Sequence, residues 1–385
     1  MAVIDVPKPS WMSEELELLA ASCDRFYSEE CQPHYARWED EGCVGRDVWR
    51  KAAAAGLLGA SVPEAYGGAG GTFAHEAVIA FEAHRAGIDG LGIPLHNAIV
   101  APYIVHYGSE EQKRRWLPGM ASGDFIGAIA MTEPGAGSDL QSIRTTARRK
   151  ANRFVLNGQK TFITNGQLAN LILVVAKTDP AAGAKGTTLF LVETDGAEGF
   201  RRGRQLDKIG LKANDTSELF FDDVEVPAEN MLGPEEGQGF AMLMNQLPQE
   251  RLLIATNAVG RMERALKETL DYVKTRKAFG KALIEFQNTQ FELAECKTEA
   301  SIARVFFDHC VERHLRGELD TATASMAKYW LTDLQCRIID RCLQLFGGYG
   351  YMNEYPIARM YRDARVERIY GGTNEIMKLL IARTL

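Results

Sequence analysis

No stretch of the 385-residue chain offers eighteen consecutive apolar residues, so no membrane-spanning helix is expected. Positive charge is in deficit: 44 Lys and Arg face 51 Asp and Glu, a formal net charge of −7. No basic field is left to draw nucleic acid or an anionic membrane to the surface, and an anionic ligand must be held by local arginines. Cysteine is sparse and unpatterned. Cys23, Cys31, Cys43, Cys296, Cys310, Cys336 and Cys342 are odd in number and never stand in C-x-x-C spacing. They read as reduced thiols of a cytoplasmic protein, not as a disulfide framework. Met1 to Ser10 has neither an apolar core nor an Arg-rich amphipathic pattern, so it does not read as a signal or transit peptide. The G-x-G-x-x-G fingerprint is missing too. Gly67, Gly68, Gly70 and Gly71 cluster with no strong strand before them, which reads as a chain reversal. His309, Cys310, Glu312 and His314 lack the i, i+4 histidine spacing of a helical metal site, so no metal is expected.

What is present is ordinary globular material, 46% hydrophobic and 25% charged, long enough for two to three domains. Its texture changes twice. The first stretch reads as helices: one from Ser13, with Glu14, Glu15 and Glu17 at its positive end, then Arg46 to Leu58, Thr72 to Ala86 and Pro94 to Tyr107. Ser109 reads as an N-cap. After Gly123 come short β-rich runs: Phe125 to Met131, Arg153 to Leu156, Lys160 to Thr164, Leu171 to Ala176, Thr187 to Val192 and Ser217 to Val226. Strands at this spacing, not alternating with helices, suggest a barrel or sandwich and disfavour a doubly wound parallel sheet. From Gly239 onward the pattern is helical again, with Leu266, Leu270 and Val273 at helical spacing, as in an antiparallel bundle. The expected units are residues 1–124 (helical), 125–236 (β) and 237–385 (helical bundle).

Five segments could carry chemistry. Met131 to Asp139 reads MTEPGAGSD. It is either a turn between strands or a loop whose freed N–H groups and hydroxyls meet an anion or a flat heteroaromatic edge. Asn157 to Gly166 reads NGQKTFITNG, a hairpin signal with Phe162 and Thr164 on one face. Met242 to Ala255 reads MLMNQLPQERLLIA, where Pro248 should kink a helix or free a carbonyl. Glu250 there is either a surface or ion-paired residue, or a carboxylate in apolar surroundings with its pKa raised toward that of a general base. Tyr272 to Gln287 is either a solvated helix end or a place where Arg276 meets phosphate. Finally, QLFGGYG from Gln344 and YGGTNE from Tyr370 are glycine-rich turns that look like close backbone approaches to a ligand.

Together these segments resemble the acyl-CoA dehydrogenase family. MTEPGAGSD, the R-K-A-F-G stretch from Arg276 with Gln287, LFGGYG and YGGTNEI stand in the family's order from about Glu14 to Ala382. Through LPQERLLIA, AKYW and IYGGTNEIMK the chain is most similar to the long-chain subgroup. The resemblance implies an N-terminal helical domain, a middle β-barrel domain and a C-terminal four-helix bundle, a homotetramer, and one FAD per subunit. It places Met131, Thr132, Gly137 and Ser138 along the flavin ring, with Phe162 and Thr164 on its other side. Arg276, Phe279, Gln287, Gln344 and Gly348 would reach the FAD of a neighbouring subunit, and Thr373 and Glu375 would close on the diphosphate region. Ala278 departs from the family, where many relatives have Thr.

Many relatives carry their catalytic Glu right after the Tyr of the Y-E-G-T turn. Here that place is Gly371. In the long-chain and isovaleryl subgroups the base comes instead from the position matching Glu250. The resemblance therefore implies α,β-dehydrogenation of a fatty acyl-CoA. Glu250 removes the α-proton, a hydride passes to flavin N5, and electrons leave to an electron-transfer flavoprotein. Gly371 N–H and a ribityl hydroxyl would steady the thioester carbonyl, Arg251 and Tyr370 would lie along the substrate, and Ser138 would touch the pantetheine arm. Leu95 and Ile99 would line the tail pocket. An isovaleryl-like enzyme, a non-catalytic flavoprotein or acyl-thioester-binding module, and an acyl-CoA oxidase are the competing readings. The last is disfavoured by the short chain.

Overall fold

The computed structural model describes residues 3–385; Met1 and Ala2, part of the N-terminal stretch read above, lie outside the described residues. The first part is helical, with main helices Glu14–Phe26, Arg46–Ala54, Phe73–Ala86, Ala101–Tyr107 and Glu110–Ser122. Their starts follow the expected caps. Ser13 accepts from Leu16 N at 3.2 Å, Thr72 accepts from Ala74 N at 3.3 Å, and Ser109 and Gln112 form a reciprocal capping box. Ile93–Leu95, a π-helical turn His96–Val100 and Ala101–Tyr107 succeed one another without a break.

The middle part is an eight-stranded sheet: β1 Gly127–Ala130, β2 Thr146–Lys150, β3 Arg153–Thr164, β4 Leu171–Lys177, β5 Thr187–Glu193, β6 Phe200–Gln205, β7 Thr216–Pro227 and β8 Met231–Leu232. The order is β6-β7-β3-β2-β4-β5-β8, with β1 added parallel on β4. Every residue of β4 is buried because both faces are covered. Ile172, Val174 and Ala176 enter a core with Phe154, Phe190 and Phe221, whereas Leu171, Leu173 and Val175 pack with Trp116, Leu117 and Tyr103 of the helical part.

Two expectations need correction here. Arg153 to Leu156 and Lys160 to Thr164 are one strand, and Asn157-Gly158 is not a hairpin turn. The β3–β7 register shifts between Leu156 and Gly158, so the pair marks a bulge, with Gly158 at φ 152°. The tight turn is Ala151-Asn152, between β2 and β3. Pro248 lies inside Gly239–Thr275, which continues through it as one 37-residue helix.

That long helix packs with Gln287–Leu315 and Thr321–Leu345, while Pro356–Ala364 and Asn374–Ala382 pack along Thr321–Leu345. Phe73, Ala77 and Ala80 of the first part enter the same core as Leu252, Val259 and Leu266. A buried ionic joint ties the first part to the last helices. Arg261 Nε donates to Asp89 Oδ1 at 2.8 Å and its Nη1 ion-pairs with Glu367 Oε1 at 2.5 Å, with all three side chains sealed from solvent. No helix of the described residues is long and apolar enough to cross a membrane.

Candidate active site

Glu250 stands in the apolar middle of the long helix and is 5% exposed, so its reading as a surface residue does not hold. Its bonding partner is a phenol: Tyr103 Oη donates to Glu250 Oε1 at 2.9 Å. Burial pushes the Glu250 carboxyl up to about 7, although the Tyr103 bond and the Arg251 charge pull the other way. Arg251 is buried beside it. Its Nη1 reaches Ser325 Oγ at 3.4 Å, and its Nε is buried with no hydrogen-bond partner among the described residues.

The YGGTNE turn arrives against the same helix. Gly371 sits at φ 65°, and a Cβ there would fall 2.3 Å from Ile254 Cδ1. Neighbouring Tyr370 donates to Glu367 Oε1 at 3.1 Å, which joins the turn to the Arg261 ion pairs. On the other side Lys328, fully buried, donates to Gly372 O at 2.7 Å and to Asn374 Oδ1 at 2.9 Å. Burial lowers the Lys328 ammonium to about 8. Thr373 caps the last helix by accepting from Ile376 N at 3.4 Å, and Glu375 is exposed in its first turn.

The MTEPGAGSD loop lies beside β3. Thr161 N donates to Thr132 O at 2.9 Å, and Lys160 Nζ donates to Met131 O at 3.0 Å. Glu133 fixes the loop from inside, accepting from Arg144 N at 2.6 Å, Thr145 N at 2.9 Å and Lys160 Nζ at 2.8 Å. Burial opposes its charge, but the Lys160 ammonium and these bonds hold its carboxyl below the usual range. Outside this anchor the loop is open. A Cβ at Gly135 or Gly137 would meet nothing within 4 Å, and Ser138 is exposed. Phe162 sits at φ 59° beside a second register shift and is 67% exposed, with Thr164 half-buried two residues on.

A third cluster lies at the far end of the long helix. Arg276, Gln344 and Gly348 line a cavity of about 700 Å³ with Tyr272, Phe346 and Tyr349, and the Arg276 guanidinium stands 5.2 Å from the Tyr349 ring. Phe279 tips the small hairpin Lys277–Ala278/Lys281–Ala282 at φ 51°, 97% exposed. Gln287 starts the next helix, also exposed. Neither the loop at Met131 nor Glu250 lines this cavity. No group of three or more His, Cys, Asp or Glu among the described residues could hold a metal.

Sequence reasoning missed Tyr103, Glu133, Lys328 and the Asp89–Arg261–Glu367 joint. Glu133 lies inside the MTEPGAGSD motif, and Lys328 inside AKYW, so position is a signal for both.

Three sequence models match in succession: "Acyl-CoA dehydrogenase, N-terminal domain" over residues 13–124, "middle domain" over 128–224 and "C-terminal domain" over 237–385. The long-chain specific acyl-CoA dehydrogenase, mitochondrial, of Sus scrofa is 52% identical over 375 residues, covering 97% of this chain and 87% of that protein. The crystal structure of an acyl-CoA dehydrogenase from Geobacillus kaustophilus superposes with a TM-score of 0.95 at 49% identity, covering 98% of this chain and 99% of the other. A glutaryl-CoA dehydrogenase from Mycobacterium smegmatis, in complex with FADH2, superposes with a TM-score of 0.89 at 30% identity, covering 97% and 95%.

Proposed function

This chain belongs to the acyl-CoA dehydrogenase family, and from that premise we propose that it converts medium- to long-chain fatty acyl-CoA to the trans-2-enoyl-CoA with Glu250 as its base. Its long-chain relatives favour that substrate range. The observation that carries the reading is a buried carboxyl held near neutrality, at about 7, by apolar surroundings. Such a group is ionised at working pH yet basic enough to take a proton from carbon. Gly371, with no side chain, leaves the other known place for a base vacant.

The enzyme is an FAD-dependent dehydrogenase. FAD, when bound, supplies the acceptor for the two electrons of the β-hydride. Met131, Thr132, Gly137 and Ser138 would border the flavin ring, with Phe162 and Thr164 opposite. The open space at Gly135 and Gly137 and the presented Phe162 ring support that fit. Arg276, Phe279, Gln287, Gln344 and Gly348 would hold the far half of FAD in a neighbouring subunit. Support comes from the cavity that Arg276, Gln344 and Gly348 line, which shares no lining residue with the flavin-ring group. Thr373 and Glu375 would close on the diphosphate region. A site divided in this way needs a second copy, which fits a homotetramer.

Substrate would lie between the long helix and the YGGTNE turn. Gly371 N–H would bond the thioester oxygen as it gains enolate character. Arg251 offers an unpartnered buried Nε beside the base, while Tyr370 and Ser138 would touch the acyl-CoA. Electrons would pass on to an electron-transfer flavoprotein. Residues 1–124, 125–236 and 237–385 are the proposed structural units. The seven free cysteines support a reducing compartment, with the cytoplasm expected. The mitochondrial relatives make the matrix the other outcome of fractionation.

Anaerobic mixing of holoenzyme with acyl-CoAs of four to eighteen carbons, including isovaleryl-CoA, tests the reading. Rapid flavin bleaching by long chains is expected, and bleaching by isovaleryl-CoA alone would move the assignment to the branched-chain group. E250Q should bind FAD normally and bleach ~10²–10⁴-fold more slowly. Full-rate bleaching by E250Q would remove Glu250 as the base.

A further inference from the structure

Tyr103 belongs to Ala101–Tyr107 and is wholly buried. A phenol sealed in an apolar core needs a hydrogen-bond partner. The partner here is one oxygen of Glu250, 147 residues away in sequence. The π turn His96–Val100 just before Ala101–Tyr107 adds a residue to the helical turn and rotates that helix onto a new face. The turn is pinned on several sides. His96 meets Met120 O at 3.0 Å and accepts from Gly127 N at 2.9 Å, and Asn97 donates to Leu57 O at 2.8 Å and Glu76 Oε2 at 2.9 Å. The phenol is thus delivered to the carboxylate by a rigid mount from the first part of the chain.

We propose that Tyr103 is the positioning residue of the base. Its phenol fixes Glu250 Oε1, leaves Oε2 to receive the α-proton, and sets the pH at which the carboxylate is ready. The proposal rests on Glu250 being the base.

The groups facing Glu250 are few. Arg251 is on its own helix. Tyr103 is the bonded group on the facing helix, and Tyr107 lies behind it, its hydroxyl accepting from Gln246 Nε2 at 3.2 Å. Ser325 and Lys328, on Thr321–Leu345, face Arg251. A hydrogen bond to the charged form of a carboxyl lowers its pKa. Losing the phenol therefore raises it, and the base ionises only at higher pH.

Y103F keeps the ring and deletes the donor. Flavin reduction by a long-chain acyl-CoA is tracked anaerobically in holoenzyme from about pH 5.5 to about pH 10, past the shifted limb. The acid limb of the Y103F profile should move ~1–2 pH units alkaline, with the rate largely recovered on the alkaline plateau and FAD content unchanged. Replacing Tyr103 with 3-fluorotyrosine, a stronger donor of nearly the same shape, should move the limb the opposite way, and it carries the test if Y103F does not fold. A uniform fall in rate with the limb unmoved in either variant overturns the proposal and leaves Tyr103 a packing residue. The E250Q arm separates the two readings: full activity there removes the base assignment itself, whereas a slow E250Q beside an unmoved limb removes only the role of Tyr103.

Discussion

Gly371 packs against the end of the Ile254 side chain: a Cβ on Gly371 would lie 2.3 Å from Ile254 Cδ1, one helical turn beyond Glu250. Gly371 also holds φ at 65°. The YGGTNE turn is here pressed against the helix that carries Glu250.

G371A should therefore be costly for its size. The left-handed backbone, with a small shift of Ile254 Cδ1 added, predicts a loss of ~1–2 kcal/mol. Thermal unfolding of the holoenzyme reads the loss, and trimming Ile254 to Val in the same chain should recover part of it. Equal melting of G371A and the parent would show that the turn gives way freely.

Glu250 also makes stability depend on pH. Its folded pKa of about 7 lies above the ordinary glutamate value of 4.5. The folded state therefore holds the proton more tightly, and the stability this provides is complete below pH ~4.5 and is lost as pH rises through ~7. E250Q carries no such loss. Relative to the parent it should gain up to ~3 kcal/mol between pH 5 and pH 8. Melting curves at both values, at constant ionic strength, check the sign.

R261L removes the charge between Asp89 and Glu367, both sealed from water. Asp89 would keep only the charges of His84, Arg264 and Arg359, and Glu367 only its neutral donors Gln335 and Tyr370, so a loss of ~3 kcal/mol is expected. Glu367 also accepts from Tyr370, so the KM for acyl-CoA should rise in R261L at a temperature where the protein is still folded.

R276A should leave the fold intact, because Arg276 is exposed at the end of its helix. FAD should bind ~10–100-fold more weakly if the guanidinium holds a phosphate. Fluorescence titration of apoprotein with FAD measures this directly, and unchanged affinity would take Arg276 out of the cofactor site.

Legibility in the sequence tracks the physics of each segment. β4 is plain to read because burial on both faces writes an unbroken apolar run, LILVVA. β2, TARRK, and β6, FRRGRQ, stay hidden because most of their side chains meet solvent and arginines mask the alternation. Asn157-Gly158 has the composition of a turn, yet the chain uses the glycine to absorb an extra residue within a strand. At the site, Glu250 and Gly371 stand out because they lie in motifs. Tyr103 does not: within APYIVHY it is one more apolar-face residue, and its meaning depends on a π turn and on a partner in another part of the chain. Lys328 is hidden in the same way, since its bonds go to Gly372 and Asn374, more than forty positions later.

The long helix Gly239–Thr275 serves two cores at once. Met242 and Leu243 seat under the sheet, while Leu252 to Val273 fill the bundle core together with Phe73, Ala77 and Ala80 from the first part. It works as a common spar. Sequence comparison divides the chain into three, but none of the three can be cut out without stripping apolar surface from another. Heat should accordingly melt them in one calorimetric transition, and a chain nicked in the loop before Gly239 should lose all three together.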